Sequence, residues 1–158
     1  MKNKTFKNIR ICCYVALAFC VIWTISMMFT LCVDMFGNRA SSHPIDWSIH
    51  TCKKIIVLAC YVGGTATMTL LCFKVVINIM NGLQESIAFP RSNEKLLFLI
   101  AMADFVRLFG HANVVTLWDD DLVLALVPEN IITPFFLLFF AFMYKVAADA
   151  VEENNLTV

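Results

Sequence analysis

Apolar residues gather in four long stretches, residues 11–33, 55–73, 96–117 and 131–148, with the polar residues collected between them and at the two ends. A hydrocarbon core of about 30 Å needs roughly 20 helical residues at about 1.5 Å each, and these stretches approach or exceed that length. The pattern predicts an all-α fold: one domain over residues 1–158, an integral membrane bundle of four transmembrane helices. Lipid is then the first partner of the chain.

The small residues inside two of the stretches predict which helices approach closely. The first carries Cys12, Ala16, Cys20 and Thr24 at every fourth position, and the second carries Ala59, Gly63 and Thr67 with Gly64 beside them. Rows of this kind let backbones meet in lipid. They predict a tight antiparallel hairpin of the first two spans.

Between the second and third spans, Asn81-Gly82 predicts a helix stop. Ser92 or Asn93 is suited to cap the next helix, and Glu94 suits its positive end. Past Trp118, the run Asp119–Asp121 reads as a solvated loop that helps set topology. Starting the fourth span at Ile131 keeps Glu129 at the surface and puts Pro134 in the first turn, where a missing N–H costs little. The apolar piece at residues 122–127 then lies along the interface or tucks back on the bundle.

Composition agrees with a membrane chain. Sixty per cent of the residues are hydrophobic and 15% are charged, against a usual charged share of about 25%. Formal net charge is zero, which gives no reason to expect nucleic acid as a partner. With the N-terminus inside, the inner side collects Lys2, Lys4, Lys7, Arg10, Lys74, Arg91, Lys95 and Lys145, while the outer side holds Arg39, Lys53 and Lys54. The positive-inside rule therefore puts both termini in the cytoplasm. The first stretch is too long for a cleaved h-region and no small-x-small site follows it, so it reads as a retained signal anchor.

One span carries ionisable groups. Asp104, Arg107 and His111 stand at i, i+3 and i+7 and share a helical face. Asp and Arg each cost roughly 2.5–3.5 kcal/mol at the centre of a span, and the twelve Leu, Ile, Phe and Val residues between positions 96 and 117 return roughly 4–7 kcal/mol. The terms nearly cancel, so this helix is expected to turn its polar face toward its neighbours. Two readings of the stripe stand side by side. Intramembrane ionisable groups are candidates for a relay or a polar binding site, and an i,i+3 Asp–Arg pair also neutralises itself and braces the packing.

Other chemistry is sparse. Of seven cysteines, Cys32 and Cys52 are expected near facing ends of the first two spans, where a bridge is one reading and two free thiols the other; the odd total favours the thiols. His43 and His50 flank Asp46 without a further ligand at a recognisable spacing, so they read as loop residues and no metal or other cofactor is expected. There is no glycine-rich phosphate loop, HExxH or CxxC, and no serine flanks His111 at helical spacing. The sequence does not predict an enzyme. The soluble segments with most character are the connection at residues 82–95, with Phe89 and Asn93, and the acidic tail, with Glu152 and Glu153. These four are the candidate contacts for a protein partner. The polar stripe is the alternative site, for a small transporter or channel subunit built as a homo-oligomer.

Those segments also carry a resemblance. Asn81-Gly82, Ala88-Phe89 and Asn93-Glu94-Lys95-Leu96, with the ending Glu152-Glu153-Asn154-Asn155-Leu156-Thr157-Val158, are similar to the linker and acidic ending of a bacterial family of small four-span membrane proteins, a domain of unknown function (DUF2975). Ala88 stands where that family usually has proline, Asn155 where it has aspartate, and a glycine common before the tail is absent. The resemblance implies architecture and a bacterial inner membrane, with no established activity. Helix-turn-helix regulators encoded beside some relatives imply a signalling partner.

Overall fold

The structure is a computed structural model that describes residues 2–36, 45–84, 87, 89–118 and 124–156. Arg39, His43, Ala88, Asp119, Asp120, Asp121, Leu122, Val123, Thr157 and Val158, on which expectations above were placed, lie outside the described residues.

Among the described residues four helices make up the fold: α1 (Lys2–Phe36), α2 (Thr51–Gln84), α3 (Ser92–Asn113, continued by the 3₁₀ segment Val114–Trp118) and α4 (Glu129–Leu156). Each contains a segment long and apolar enough to cross a membrane. Every one outruns the apolar stretch that announces it, α3 with its 3₁₀ continuation, and α1 holds no Gly or Pro to stop it. Asn81-Gly82 does not end α2, which runs on to Gln84. Gly82 keeps a helical φ and is used instead for close approach: a β-carbon there would meet Pro90 Cγ and the Ile87 carbonyl at 2.7 and 2.8 Å. The linker folds back on that spot, with the Ile87 amide donating to the Gly82 carbonyl at 2.7 Å.

Among the described residues, helix backbones come close only in chain order, α1 to α2, α2 to α3 and α3 to α4. The helices therefore stand side by side in a row rather than closing into a ring, and the expected bundle is open. The start of α1, the end of α4 and the described linker residues 87 and 89–91 lie at one end, and residues 45–50 and 124–128 lie at the opposite end. The central pair is α2 and α3, not α1 and α2. A β-carbon on Gly64 would sit 2.7 Å from the Arg107 amide nitrogen, and one on Gly110 would sit 2.7 Å from the Tyr61 α-carbon. The row Ala59, Gly63 and Thr67 is exposed and lines an open groove beside α3, where a β-carbon on Gly63 would touch nothing. The expected hairpin of the first two spans is thus replaced by one between the second and third.

Two apolar clusters hold the central pair. Val57, Tyr61, Val114 and Leu117, with Ile45 and Trp118 against them, pack at the end away from the termini. Val75, Leu96 and Ile100, flanked by Met68, Leu71 and Leu137, pack toward the termini. The outer faces remain bare: Phe29 is 70% exposed and Phe135 65%. So much uncovered apolar surface suits lipid or another apolar cover and not water.

The end away from the termini is organised by short-range polar contacts. His50 takes φ +53° just before α2, and its carbonyl accepts from the Lys54 amide at 3.1 Å, so this histidine shapes a turn. Buried Lys54 donates its Nζ to the Asp46 carbonyl at 2.7 Å. The Ser48 hydroxyl and amide both donate to Asp46 Oδ1, at 2.7 and 2.8 Å, and with help from nearby Lys54 they hold this exposed carboxyl below the usual range. A carboxyl whose pKa is lowered on folding contributes fully above its unfolded value and loses that contribution as pH falls through the folded one. The turn is expected to hold at pH 5 and to loosen once pH drops below about 3.9, read as faster exchange of the Ser48 amide.

Residues 124–127, the described part of the piece after α3, tuck back on that helix, one of the two arrangements the sequence allows. Asn113, fully buried, donates Nδ2 to the Ala125 carbonyl and accepts from the Ala125 amide, at 2.8 and 2.7 Å. Asn130 reaches back to the Leu108 carbonyl at 3.3 Å. Pro134 lies inside α4, past the first turn where the sequence placed it, because the helix already begins at Glu129. Asn113→Ala strips both polar groups of Ala125 of their partner, a loss of about 1–3 kcal/mol. Hydrogen exchange is expected to quicken at residues 124–127 while α2 stays protected.

Candidate functional site

The ionisable stripe of α3 divides into two unequal parts. Asp104 is completely buried and the Arg107 side chain is 11% exposed. Arg107 donates Nε and Nη2 to the same carboxylate oxygen, Asp104 Oδ1, at 2.9 and 2.7 Å. One helical turn separates the two residues, so the pair needs no other helix to form. It does need other helices to hide it. Gly64 of α2 lets the α3 backbone come in at Arg107, and Trp23 of α1 covers the guanidinium, its ring centroid 5.8 Å from Cζ. A cation over an indole face is attracted by the ring quadrupole, most strongly where water is absent.

The second carboxylate oxygen, Asp104 Oδ2, is buried with no hydrogen-bond partner among the described residues. Nearby, a cleft of about 310 Å³ between α1 and α2 is lined by Phe19, Cys20, Trp23, Met68, Thr69 and Cys72. The threonines of α2 do not serve the carboxylate: Thr65 and Thr69 donate to the carbonyls of Tyr61 and Thr65, at 2.7 and 2.9 Å.

His111 stands apart from the pair. It is exposed and meets Tyr61 edge to face, with ring centroids 5.4 Å apart. Sharing a helical face with Asp104 does not bury it, because the α1 cover reaches Arg107 and the backbone contact at Gly110 fixes α3 against α2 one residue earlier. Among the described residues no three His, Cys, Asp or Glu side chains converge to hold a metal ion. Cys32 and Cys52 are both exposed free thiols.

The other candidate contacts lie at the termini end, and the structure treats them differently. Asn93 is fully buried and caps nothing: its amide accepts from Asn78 Nδ2 at 2.8 Å and donates to the Val75 carbonyl at 3.2 Å. It joins α3 to α2 and is inaccessible to a partner. Phe89 is exposed and packs edge to face on Tyr144, with centroids 5.5 Å apart, while the Tyr144 hydroxyl donates to the Pro90 carbonyl at 3.1 Å. Glu152 is engaged within the chain. Arg91 donates Nε to its Oε2 at 2.7 Å, adds a second contact through Nη2, and meets Asp149 at 3.0 Å. Hydrogen bonding to Glu152 and its charge, with smaller help from Asp149 and Glu94, raise the Arg91 pKa further above its ordinary value. Lys145 pairs with Glu94 at 3.3 Å. Glu153 is exposed. The linker and the last turns of α4 thus form one joined surface, which spacing alone does not reveal because residues 91 and 152 are remote in the chain.

No protein-family model matches this chain, and neither a curated protein nor a solved structure shows significant similarity to it.

Proposed function

We propose that this chain is a non-enzymatic, multi-pass protein of a bacterial inner membrane with both ends in the cytoplasm, acting through protein contacts as a regulatory or accessory subunit. Membership of the DUF2975 family belongs to the same proposal and is supported by the linker and tail motifs. The observation that carries the function is the joined surface at the termini end. Arg91 ties the linker to Asp149 and Glu152, and Phe89 is presented on Tyr144 at its edge. An exposed aromatic on a braced polar surface is a usual anchor for a protein partner. In this reading the Asp104–Arg107 pair is a brace.

The test is capture of partners from membranes with the whole chain and with a chain ending after Ala148. Recovery of the same partners by both would overturn the proposal. A second reading, a small transporter or channel subunit working as a homo-oligomer, draws support from one observation, the buried Asp104 Oδ2 without a hydrogen-bond partner among the described residues. It requires flux into proteoliposomes that Arg107→Leu abolishes, and unchanged flux would remove it.

A further inference from the structure

At the termini end a cleft of about 370 Å³ opens between α3 and α4, a size typical of small-ligand sites. Its two walls are built alike. On α3, Lys95 stands at the mouth with Phe98 and Leu99 one turn below; on α4, Lys145 stands at the mouth with Phe142 one turn below. The helices are antiparallel neighbours, so the two ammonium groups mark one level and the apolar side chains another, about 5 Å deeper. Glu94 also lines the mouth and pairs with Lys145. Two ammonium groups against one carboxylate leave a single positive charge above a greasy floor.

We propose that this cleft binds one anionic phospholipid, its phosphodiester headgroup held by Lys95 and Lys145 and the start of an acyl chain laid against Phe98, Leu99 and Phe142. Charge complementarity and depth select this occupant. A phosphodiester carries one negative charge, and the ligand must change from ionic to hydrocarbon over one helical turn, as a lipid does at the glycerol level. Basic pockets between membrane helices take anionic headgroups by this same arrangement. The site rests on the membrane reading above and goes beyond it, since no partner protein is involved.

The test uses the full chain in detergent micelles, offered equal amounts of phosphatidylglycerol and phosphatidylcholine with matched acyl chains, with retained lipid counted by native mass spectrometry. Phosphatidylglycerol is expected to be kept about tenfold over phosphatidylcholine. K95Q/K145Q is expected to bring the two lipids within about twofold of each other, and K95Q alone, which leaves the Lys145–Glu94 pair in place, to fall between. E94Q, which releases Lys145, is expected to widen the preference. K7Q/R10Q removes the same formal charge from exposed positions of α1 and is expected to change nothing. Equal retention of both lipids by the wild type, or an equal fall in K7Q/R10Q, would overturn the site and assign the effect to surface charge. Abolition of the preference by millimolar inorganic phosphate would overturn the lipid as occupant. A chain that stays dispersed without detergent would sink the membrane reading itself, an outcome distinct from these.

Discussion

Asp104→Leu is expected to destabilise the folded chain by about 3–5 kcal/mol, the usual result of removing one member of a buried ion pair. The carboxylate is wholly buried and Arg107 spends two donors on it. Leucine would leave a guanidinium facing Trp23 and the apolar interior with no counter-charge. Arg107→Leu is expected to cost a similar amount, because a buried carboxylate would lose the cation paired with it. Leucine at both positions is expected to recover most of the loss, since replacing a whole buried pair with apolar residues is often neutral or stabilising. The measurement is a double-mutant cycle on unfolding in mixed micelles. Additive losses in the double variant would show that the pair is not coupled and would remove the brace. Recovered stability with lost flux would instead favour the transport reading.

The second large effect is expected at Gly110. A methyl group there would fall 2.7 Å from the Tyr61 α-carbon and 2.9 Å from the Cys60 carbonyl carbon, so backbone and not a flexible side chain would have to yield. Overpacking of this kind typically costs about 1–3 kcal/mol, and the gain of about 0.5–1 kcal/mol from replacing a helical glycine offsets only part of it. Gly110→Ala is expected to lose about 1–2 kcal/mol net and Gly110→Leu to prevent assembly of α2 with α3. Gly63→Ala is the control, because its β-carbon meets open space; it is expected to be neutral or to stabilise by up to about 1 kcal/mol. Thermal scans of the three variants under one detergent condition check the order. Equal behaviour of Gly63 and Gly110 would mean that the α2–α3 backbone contact does not limit stability.

These two sites show what the sequence reveals and what it conceals. Four apolar stretches are enough to place four helices, since length and hydropathy are properties of each segment alone. The Asp104–Arg107 pair is legible for the same reason: i,i+3 partners meet on any helix. Which helix meets which depends on faces, and there the row Ala59, Gly63, Thr67 misleads. A row of small residues marks a surface that a helix can approach without saying that one does. The actual approach uses Gly64 and Gly110, single glycines on different helices, and neither forms a row. Asn93 is misread as an accessible linker residue because its partners, Asn78 and the Val75 carbonyl, lie on another helix. A signal was present, since Asn78 is the one amide among Val75, Val76, Ile77, Ile79 and Met80. A lone amide in such a run demands a partner. His111 fails in the opposite direction: periodicity places it with Asp104, but burial depends on how far the neighbouring helices reach.

The length of α2 bears on where any partner would meet the protein. Its 34 residues extend about 51 Å, against a hydrocarbon slab of about 30 Å. In a bilayer the turns beyond Lys74, including Asn78, would rise about 15 Å above the acyl region, alongside the first turn of α3 and the closing turns of α4. Those elements are cross-linked there by Asn93 and Arg91. The molecule would carry a short rigid plinth, standing clear of the headgroups, rather than loose tethers lying on the surface.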